Sequence, residues 1–510
     1  MKFLVLVDGG GVPRWKRDCV DLLREGNDVT VCRIGPTTFG HAEAAFAFTL
    51  GGRSLQRVPL QSNDSGMKAG VDTILDLRAT PRSEPSLAAR FGRWFFCDGD
   101  GQPLCGLPGA REIAADSSTF TLELRSCDEA GEFSLLRSGR FKSLYLYHRS
   151  MDVALRECAR WPTIFASVHE ALGGSPERRS SLPAAQPRRL RPVHFLMAVA
   201  RQFVRHVFVN LFTDARWKVG TIQGSPARFL IEDYRPAIRW LPRESDDFLA
   251  DPFVFKRDGR DFILGEALDP ATRNGFIRCV ELDGEGGVVD ERNVMQAPTH
   301  LSYPFTFEHD GTWYMVPESA EERNIVLYRA VDAPYRWEPV TTMIENVAAC
   351  DSTILRRDGR WWLFFTDKAR DVNLNLFAYY ADDLAGPWHA HMANPVKTDI
   401  CSARPAGMPF EHDGELYRPG QDCADGYGSA IAFNRVATLT PHEYREELVS
   451  TFDSTATGAK TDGTHTISYV NDMVAIDAKH TVWASPRLIG QRLLRAASRA
   501  FRFAKLSYAR

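Results

Sequence analysis

Short apolar runs alternate with charged turns from Leu249 to about Ala478, and this alternation repeats along the chain. In each copy an apolar run is followed by an Asp-Gly pair and then by a second apolar run. The Asp-Gly pairs begin at positions 258, 310, 358 and 413, and a looser fifth copy begins at His465. Because Asp-Gly favours the positive φ that a two-residue hairpin needs, each copy predicts two β-strands joined by a tight turn.

The length of the repeat predicts how the copies assemble. A period of 48 to 55 residues with several short strands per copy is typical of a β-propeller. A single copy cannot bury its own apolar face, so the copies are expected to stack around an axis. Five copies predict an all-β, five-bladed propeller over residues 215–485, in which apolar segments at 217–222 and 237–241 complete the last blade.

Residues 1–174 show a different pattern, in which strand-like and helix-like segments alternate. Strand signals at 3–7, 29–34 and 71–77 are interspersed with a helix signal at 15–23. This alternation predicts an α/β domain with a parallel, Rossmann-like sheet, so the chain is expected to be multidomain. The glycine loop at 9–11 lacks the G-x-G-x-x-G spacing of a nucleotide site, and a tight strand-to-helix turn is the favoured interpretation.

Two further segments have unusual compositions. Residues 175–214 read as a Pro-, Ser- and Arg-rich linker followed by an apolar helix at 193–212, which suits packing between domains or lying on a membrane surface. Packing between domains is the favoured interpretation. Residues 486–510 hold seven basic residues, no acidic residue and interleaved apolar ones. This basic amphipathic tail is expected to bind an anionic membrane surface or to pack on acidic propeller loops.

The composition narrows the class of protein. The 510 residues carry a net charge of −3, which argues against a general nucleic-acid binder. Ten cysteines occur without a Cys-x-x-Cys pair, which favours a reducing compartment. The apolar run at the N-terminus stops at Asp8, too early for a signal peptide. We therefore expect a cytoplasmic protein that is free or peripheral at the inner membrane, since no sequence window resembles a membrane span.

The repeats predict a site at one end of the propeller axis. The first strand of a hairpin blade starts on the face where the second strand ends, so both sets of side chains should meet there. Four residues stand at first-strand starts: Asp251, Tyr303, Asp351 and His465. Four acids stand at second-strand ends: Glu266, Glu318, Asp367 and Asp422. Two arginines, Arg404 and Arg418, lie in the fourth copy. The aspartates of the Asp-Gly turns are excluded as turn residues.

A cluster of carboxylates in a concave site suits glycosyl chemistry. One acid protonates a leaving oxygen while an ionised carboxylate activates the incoming group, and close carboxylates push each other's pKa values apart. We expect Asp251 to be the base or nucleophile, Asp351 to orient it, and Glu318 or Glu266 to be the acid. Arg404 and Arg418 would hold a phosphate or carboxylate. His465 could bind sugar or an ion; a divalent metal on the axis is an option, and no other cofactor is predicted.

Three resemblances add to these expectations. The order of elements before residue 174, with the strand at 71–77, resembles the N-terminal domain of the methionyl-tRNA and sugar formyltransferases. That family needs an Asn, a His, an Asp and a His-x-Ser-Leu-Leu-Pro-like loop. The corresponding segment at 91–96 contains no histidine. The resemblance therefore implies a formyltransferase-like fold without that chemistry.

The repeats also resemble the five-bladed arabinanase and β-xylosidase hydrolases. Ala250-Asp251-Pro252-Phe253 is similar to the general-base motif of their first blade, and Cys350-Asp351-Ser352 to the third-blade aspartate that tunes pKa and orients substrate. Their fourth blade supplies a glutamate acid in a Glu-x-Pro setting. This chain has no carboxylate between Asp399 and Glu411, and Arg404-Pro405 occupies the region. The departure argues against ordinary hydrolysis.

A closer resemblance, over about residues 215–480, is to the N-terminal region of the plant glucosamine inositolphosphorylceramide transferases and its bacterial relatives. The matching segments are Ser302-Tyr303-Pro304-Phe305, Met315-Val316-Pro317-Glu318-Ser319, Tyr417-Arg418-Pro419-Gly420-Gln421-Asp422 with Tyr427-Gly428, and Gly463-Thr464-His465-Thr466. The resemblance adds Gln421 and Tyr427 to the expected substrate-binding residues. It implies handling of a glycan or glycolipid, whereas the recognised transfer belongs to a separate C-terminal domain of the plant proteins.

Three functions remain open from the sequence. The first is a carbohydrate-active enzyme that cleaves or transfers a glycosyl group of an anionic glycan or glycolipid. The second is a non-catalytic glycan-binding module that serves a partner glycosyltransferase at the membrane. The third is a sugar N-formyltransferase in which the propeller selects the substrate.

Overall fold

The computed structural model describes residues 1–8, 12–34, 53, 57–58, 60, 70–78, 89–104, 108–172, 178–179, 192–242, 248–458 and 461–494. The glycine loop at 9–11 and the tail after 494 lie outside the described residues.

An N-terminal α/β region precedes the repeats. Its elements are β1 (Lys2–Asp8), β2 (Val12–Pro13), α1 (Arg14–Arg24), β3 (Asp28–Ile34), β4 (Arg57–Val58), β5 (Thr73–Asp76), β6 (Arg93–Asp98), α2 (Ala110–Ala114), β7 (Thr119–Cys127), β8 (Phe133–Lys142), α3 (Tyr147–Leu172), β9 (Arg178–Arg179) and α4 (Pro192–Phe212). Strand β1 pairs in parallel with β3 and β5, and β5 in parallel with β6. Strands β7 and β8 then continue the sheet in antiparallel fashion.

The predicted strands and helices of this region are confirmed. Apolar residues on one face of α1, Trp15, Cys19 and Leu23, are buried in the same core as Trp94 and Trp161. That spacing of four residues places them on one side of the helix, where they cover the sheet. The parallel pairing is as expected, but the Rossmann-like and formyltransferase-like assignment stays a prediction.

Most of the remaining chain is β-structure. It contains β10 (Thr213–Gln223), β11 (Arg239–Trp240), β12 (Ala250–Arg257), β13 (Arg260–Leu268), β14 (Gly275–Leu282), β15 (Val288–Met295), β16 (Ser302–His309), β17 (Thr312–Glu318), β18 (Asn324–Asp332), β19 (Arg336–Glu345), β20 (Ala349–Arg357), β21 (Arg360–Asp367), β22 (Asn375–Ala381), β23 (His389–Ala390), β24 (Lys397–Asp399), β25 (Phe410–His412), β26 (Glu415–Asp422), β27 (Ala430–Leu439), β28 (Tyr444–Asp453), β29 (Ile467–Val470) and β30 (Met473–Trp483). Short 3₁₀ turns occupy Pro226–Leu230 and Lys368–Arg370.

These strands form five repeat units in a propeller-like arrangement. Unit 1 is β12–β15, unit 2 is β16–β19, unit 3 is β20–β23, unit 4 is β25–β28, and unit 5 combines β29 and β30 with β10 and β11. Four units are separate four-stranded sheets. Unit 3 departs from the predicted set of five separate blades, because β22 continues through β24 into the N-terminal sheet.

The units pack on one another through shared apolar clusters. Units 1 and 5 meet at Val254 and Ala475, and units 3 and 4 meet at Trp362 and Tyr444. Strand β10 pairs along its whole length with β30, so the predicted completion of the last unit by a leading strand is confirmed. The hairpin turns are also confirmed, since Asp310 and Gly311 both have positive φ, at 49° and 71°.

The N-terminal region and the propeller share one sheet. Strand β8 pairs in parallel with β24, where Thr398 faces Gly139. Side chains strengthen this junction: Lys142 Nζ donates to the carbonyl of Cys423 at 2.8 Å, and Arg370 Nη2 lies 2.6 Å from Glu157 Oε2. The two regions are therefore joined by backbone pairing as well as by side chains.

Helix α4 differs from its predicted packing between domains. Only Phe195 and Ala198 of its residues are buried. By length and composition it is the one helix within the described residues that could cross a membrane. The packed-helix prediction is wrong, because the apolar residues of α4 face outward.

Candidate functional site

The residues that start three of the inner strands share an unusual backbone. Asp251, Tyr303 and Asp351 have φ values of 49°, 42° and 53°, in the left-handed region. At each of them the inner strand has one residue more than its partner, which is a β-bulge. A bulge turns a side chain away from the regular alternation of the strand. This local geometry, repeated in units 1 to 3, directs these positions toward the axis.

Asp251 is held in a network from unit 5. Its Oδ1 accepts from the Thr466 hydroxyl at 2.6 Å and lies 3.5 Å from His465 Nε2, and its Oδ2 accepts from the Tyr303 amide at 3.3 Å. On the other side, His465 Nδ1 lies 2.6 Å from Asp477 Oδ2. Burial raises the pKa of Asp251, and the nearby His465 opposes this rise. The carboxyl group is only 4% exposed, so it is held in a fixed orientation.

Asp351 is paired with Arg404. Arg404 Nε lies 2.5 Å from Asp351 Oδ2, and its Nη2 lies 3.2 Å from Oδ1, so the contact is bidentate. Gln421 Nε2 also donates to Asp351 Oδ2, at 2.6 Å. These three hydrogen bonds fix the orientation of the Asp351 side chain, which is 2% exposed. The arginine stands where the sequence comparison expected a glutamate acid.

Glu318 comes next to this pair. Its Oε2 accepts from the backbone amide of Asp351 at 3.1 Å. Burial and the charge of Asp351 raise the pKa of Glu318 to about 8, against the opposing effect of Arg404. Glu318 is thus a carboxyl group that holds its proton to higher pH than usual, as expected of an acid beside a carboxylate partner.

The other predicted acid, Glu266, has a histidine partner that the sequence did not suggest. His300 Nε2 lies 3.1 Å from Glu266 Oε1, and this bond raises the pKa of His300, although burial lowers it. The Gly275 amide donates to the other ring nitrogen at 2.9 Å. Because Glu266 is held by this pair, Glu318 is the better candidate for the acid.

Arg418 does not join Arg404 in an anion site. Its guanidinium donates to Glu446 at 2.6 and 2.8 Å and is almost fully buried, and Lys397 Nζ lies 2.6 Å from the same carboxylate. The Arg418 guanidinium is therefore directed to Glu446, whereas Arg404 contacts Asp351 and Tyr427. The predicted Arg404–Arg418 pair is therefore wrong, and Arg418 is a structural residue of unit 4.

Three other predicted substrate contacts have structural positions. Tyr303 is completely buried against Phe253, with its ring 4.9 Å away, and its hydroxyl accepts from the Gly407 amide at 2.7 Å. Because it is buried and its hydroxyl is bonded within the fold, Tyr303 has a structural role beside the site. Asp367 and Asp422 accept hydrogen bonds from backbone amides two residues later, both at 2.9 Å. Each acid therefore caps its own loop, which is the ordinary role of Asp in such turns.

An aromatic pair covers the cluster. Trp217, on β10, stacks on His465 with ring centres 4.0 Å apart. Tyr427 is 42% exposed and contacts the rings of both Trp217 and His465, and the Arg404 guanidinium lies 4.9 Å from its centroid. Gly428, at a positive φ, permits this approach because an added Cβ would lie 2.8 Å from Trp217. Tyr427 thus joins the buried cluster to solvent, as the prediction of substrate contact requires.

Several site residues were missed from the sequence. They are Trp217, His300, Thr466 and Asp477, with Asn373, whose Oδ1 accepts from Arg404 Nη1 at 3.1 Å. Asp477 accepts from the amides of His465 and Thr466 at 2.9 and 3.1 Å. Its only sequence signal is that it is the one polar residue among the apolar residues at 473–478, the first half of β30. Such a buried acid needs partners, and that need could have indicated it.

The predicted axial metal has a defined set of candidate ligands. Asp251, His465 and Asp477 offer donor atoms that all lie within 4.8 Å of one another. Two carboxylates and an imidazole suit a divalent ion. The same atoms already pair with each other, since His465 lies between the two acids. The chemistry of the donors therefore fits a metal, and the metal itself stays a prediction.

Comparisons with known proteins agree with the repeat region. Residues 242–468, less than half of the chain, match the family model described as glucosamine inositolphosphorylceramide transferase 1, N-terminal. The transferase of that name from Oryza sativa subsp. japonica is 34% identical over 210 residues, which cover 40% of this chain and 28% of the relative. The Arabidopsis thaliana protein is 34% identical over 206 residues, with 39% and 27% covered. The chain thus spans under a third of the length of these relatives.

Solved structures similar to the chain are glycoside hydrolases. A family 117 enzyme of Zobellia galactanivorans has a TM-score of 0.35 and 11% identity, covering 52% of this chain and 91% of its own. A GH62 α-L-arabinofuranosidase domain of Coprinopsis cinerea has a TM-score of 0.33 and 14% identity, covering 52% and 96%. Both scores are low, so no functional statement depends on them. The propeller region is similar, by sequence, to the N-terminal region of the glucosamine inositolphosphorylceramide transferases.

Proposed function

We propose that the axial site binds a glycan or glycolipid bearing an anionic group and acts on its glycosidic bond, by transfer or by cleavage. The observation that carries this proposal is the convergence of the five units on one cluster. The residues are Asp251 of unit 1, Glu318 of unit 2, Asp351 of unit 3, Gln421 of unit 4 and Asp477 of unit 5, together with Arg404, which precedes unit 4. A purely structural ring would be satisfied by apolar packing at this point, without a set of buried charges.

The raised pKa of Glu318 suits the role of a general acid. Glu318 is protonated near neutral pH and would donate its proton to the leaving oxygen as the glycosidic C–O bond breaks. The incoming hydroxyl, of an acceptor or of water, would lose its proton to Asp251 as the new C–O bond forms. After one turnover Glu318 has lost a proton and Asp251 has gained one. Proton exchange with solvent then restores the starting state of both groups. Asp351, which is paired with Arg404, would orient the substrate.

Arg404 is the basic side chain that would contact the anionic group, in exchange for part of its present pairing with Asp351 and Asn373. Its guanidinium contacts Asp351 on one side and the exposed ring of Tyr427 on the other. An arginine binds phosphate or carboxylate through parallel hydrogen bonds. The relatives are named for inositolphosphorylceramide, which contains a phosphate. A phosphate-bearing sphingolipid with an attached sugar is therefore the first substrate to test.

An amide oxygen adds to this support. Gln421 is fully buried and uses Nε2 toward Asp351 and the Pro405 carbonyl, while its Oε1 has no hydrogen-bond partner among the described residues. A buried acceptor left unpaired costs about 1–3 kcal/mol. A hydroxyl group of a bound sugar would satisfy it.

The test is turnover by variants that keep the backbone. Glycosylated inositolphosphorylceramide is incubated with the purified chain, with and without a sugar acceptor, and products are followed by mass spectrometry. Asp251→Asn with Asp351→Asn should abolish turnover, because Asn tolerates the same positive φ but provides no carboxylate. The matched control is Asp258→Asn with Asp358→Asn, at exposed turns of similar φ, which should retain it. Full activity of the first double variant would end the proposal.

A second candidate is a non-catalytic glycan-binding module for a partner glycosyltransferase. It is favoured by the full engagement of Asp351 by Arg404 and Gln421, which leaves that carboxylate little freedom to act. Here the wild-type chain binds the glycolipid in calorimetry and releases no product. Arg404→Ala should abolish binding, whereas Arg357→Ala, at an exposed ion pair with Glu411, should not. Turnover by the wild-type chain would exclude this candidate.

A further inference from the structure

We propose that helix α4 lies in the plane of an anionic lipid bilayer and holds the protein against the membrane surface. The outward residues of α4 are predominantly apolar: Val193, Leu196, Met197, Phe203, Val204, Val207, Phe208, Val209 and Phe212 are all exposed. Val204 is 65% exposed, and Trp483, beside Phe208, is 74% exposed. Contiguous apolar exposure of this kind marks an interaction surface.

The connections of the helix exclude a membrane-spanning position. With 21 residues α4 is about 31 Å long, close to the ~30 Å hydrocarbon thickness. A span would place the α/β region and the propeller on opposite sides of the bilayer. They cannot be separated, because β8 and β24 pair within one sheet. The helix also packs on the α/β region through Phe195, whose ring lies 5.6 Å from that of Tyr147. Both its ends therefore stay on one side.

The charge distribution indicates an anionic surface as the occupant. From Arg178 to Thr213 the chain has seven arginines and no acidic residue. From Arg487 to the C-terminus it has seven basic residues and again no acidic one. All 65 acidic residues lie outside these two segments, so a protein of net charge −3 concentrates its positive charge there. Basic residues near a membrane attract anionic headgroups at about 1 kcal/mol each.

The described part of the second basic segment contacts the C-terminal end of α4. Residues 486–494 are helical, and Arg492 Nη1 donates to the Thr213 carbonyl, directly after α4, at 2.6 Å. Leu493 and Leu494 of this second helix are exposed as well. Arg201, on α4, pairs with Asp116 at 2.5 Å, and Arg205 is exposed. Apolar side chains flanked by arginines are the composition of a helix that lies in a membrane interface.

The experiment is sedimentation of the full chain with vesicles. One set contains phosphatidylcholine alone, and the other an equal mixture with phosphatidylglycerol. The wild-type chain should sediment with the mixed vesicles at least tenfold more than with phosphatidylcholine, and high salt should weaken the binding. Val204→Glu with Phe208→Glu should reduce sedimentation at least tenfold, because carboxylates would enter the apolar layer.

A matched control separates membrane binding from general effects of charge. Val289 and Ile231 are 60% and 61% exposed and lie on the propeller, away from α4. Val289→Glu with Ile231→Glu should bind vesicles like the wild-type chain. Circular dichroism and thermal unfolding show that each variant is folded, and light scattering gives its oligomeric state.

Three results would overturn the inference. The first is no sedimentation of the wild-type chain with the anionic vesicles, and the second is unchanged sedimentation of the α4 variant. The third is a wild-type dimer that the α4 variant converts to a monomer, which would show that a second copy covers this face. None of these outcomes depends on turnover at the axial site. The membrane proposal and the proposed function are therefore tested by independent experiments.

Discussion

At the residue scale, the axial site consists of acids placed in contrasting environments. Asp351 accepts two hydrogen bonds from Arg404, whereas Glu318, one hydrogen bond away, is buried and has no ion-pair partner among the described residues. A carboxyl group in such a position holds its proton to higher pH than usual. The same separation of environments distinguishes general acids from their carboxylate partners in glycosyl chemistry.

This difference predicts the alkaline side of a pH–rate profile. Glu318 must be protonated to act as the acid, and burial with the Asp351 charge raises its pKa to about 8. Activity should therefore fall as pH rises through about 8, when the proton is lost. Glu318→Gln should reduce kcat at least a hundredfold at every pH, consistent with the usual contribution of an acid, about 10²–10⁴-fold. An unaltered alkaline limb in Glu318→Gln would contradict the assignment.

Arg418 provides a prediction about stability. Despite burial, which raises it, Arg418 and Lys397 lower the pKa of Glu446 to about 2. The lowered pKa of Glu446 stabilises the folded protein at pH values above about 4.5, the ordinary pKa of a glutamate. This stabilisation is lost as the pH falls toward 2. Arg418→Met should cost about 3–5 kcal/mol of unfolding free energy at neutral pH, because a buried charge loses its partner.

The control for this variant is on an adjacent residue pair. Arg435, on β27, pairs at 3.0 Å with Glu447, which follows Glu446 on β28, and both of these side chains are well exposed. Arg435→Met should cost less than about 1 kcal/mol in urea unfolding. If Arg418→Met were equally mild but abolished glycolipid binding, the structural role of Arg418 would be wrong.

At the element scale, the inner strands depend on close backbone approaches between units. Gly407, with φ 111°, pairs with Ile467 of unit 5, and an added Cβ would lie 1.8 Å from the Ile467 carbonyl oxygen. Units 4 and 5 therefore meet without any side chain at this position. The Gly407 amide also donates to the Tyr303 hydroxyl, which links the same point to unit 2.

Gly407→Ala should therefore destabilise the propeller by about 1–3 kcal/mol or more, through strain and the forced separation of the two units. The free energy of unfolding in urea measures the effect. Gly426→Ala is the control, since Gly426 has no atom within 4 Å of the added Cβ and is not at positive φ. Equal stabilities of the two variants would show that the approach is not required.

The elements show how far the chain pattern could predict the site. The repeat correctly predicted that Asp251 and Asp351 lie at the starts of strands, because the Asp-Gly turns fix the register of each hairpin. It could not predict the bulge, since one extra residue leaves the apolar pattern unchanged. Nor could it decide how α4 packs, because the same apolar sequence suits a buried helix and one that faces outward. Arg418 was misplaced because its partner Glu446 lies 28 residues away.

At the scale of the whole molecule, the sheet that joins the α/β region to unit 3 should make unfolding cooperative. Glu157, buried on α3, accepts from Arg160 and Arg370 at 2.8 and 2.6 Å and so holds the propeller to the α/β region. Sequence reasoning treated the two regions as independent, because pairing between strands some 250 residues apart leaves no local signal.

We expect calorimetry of the wild-type chain to show one unfolding transition. Glu157→Ala should lower the Tm by several degrees or divide the transition in two, because Arg370 loses its carboxylate across the junction. Glu338→Ala removes an exposed acid 4.0 Å from Arg329 and should leave the curve unchanged. Two well-separated transitions in the wild-type chain would contradict a coupled junction.

The bulged starts of units 1, 2 and 3 have a consequence for how such rings diversify. Asp251, Tyr303 and Asp351 occupy equivalent positions in units 1, 2 and 3. At each of them the backbone has the same positive φ and the same bulge. A carboxylate can thus be lost at one of these positions and introduced at another by point substitutions, while the fold is preserved. When two proteins with this fold are compared, an acid that is missing from one unit should therefore be sought at the equivalent bulged position of a neighbouring unit.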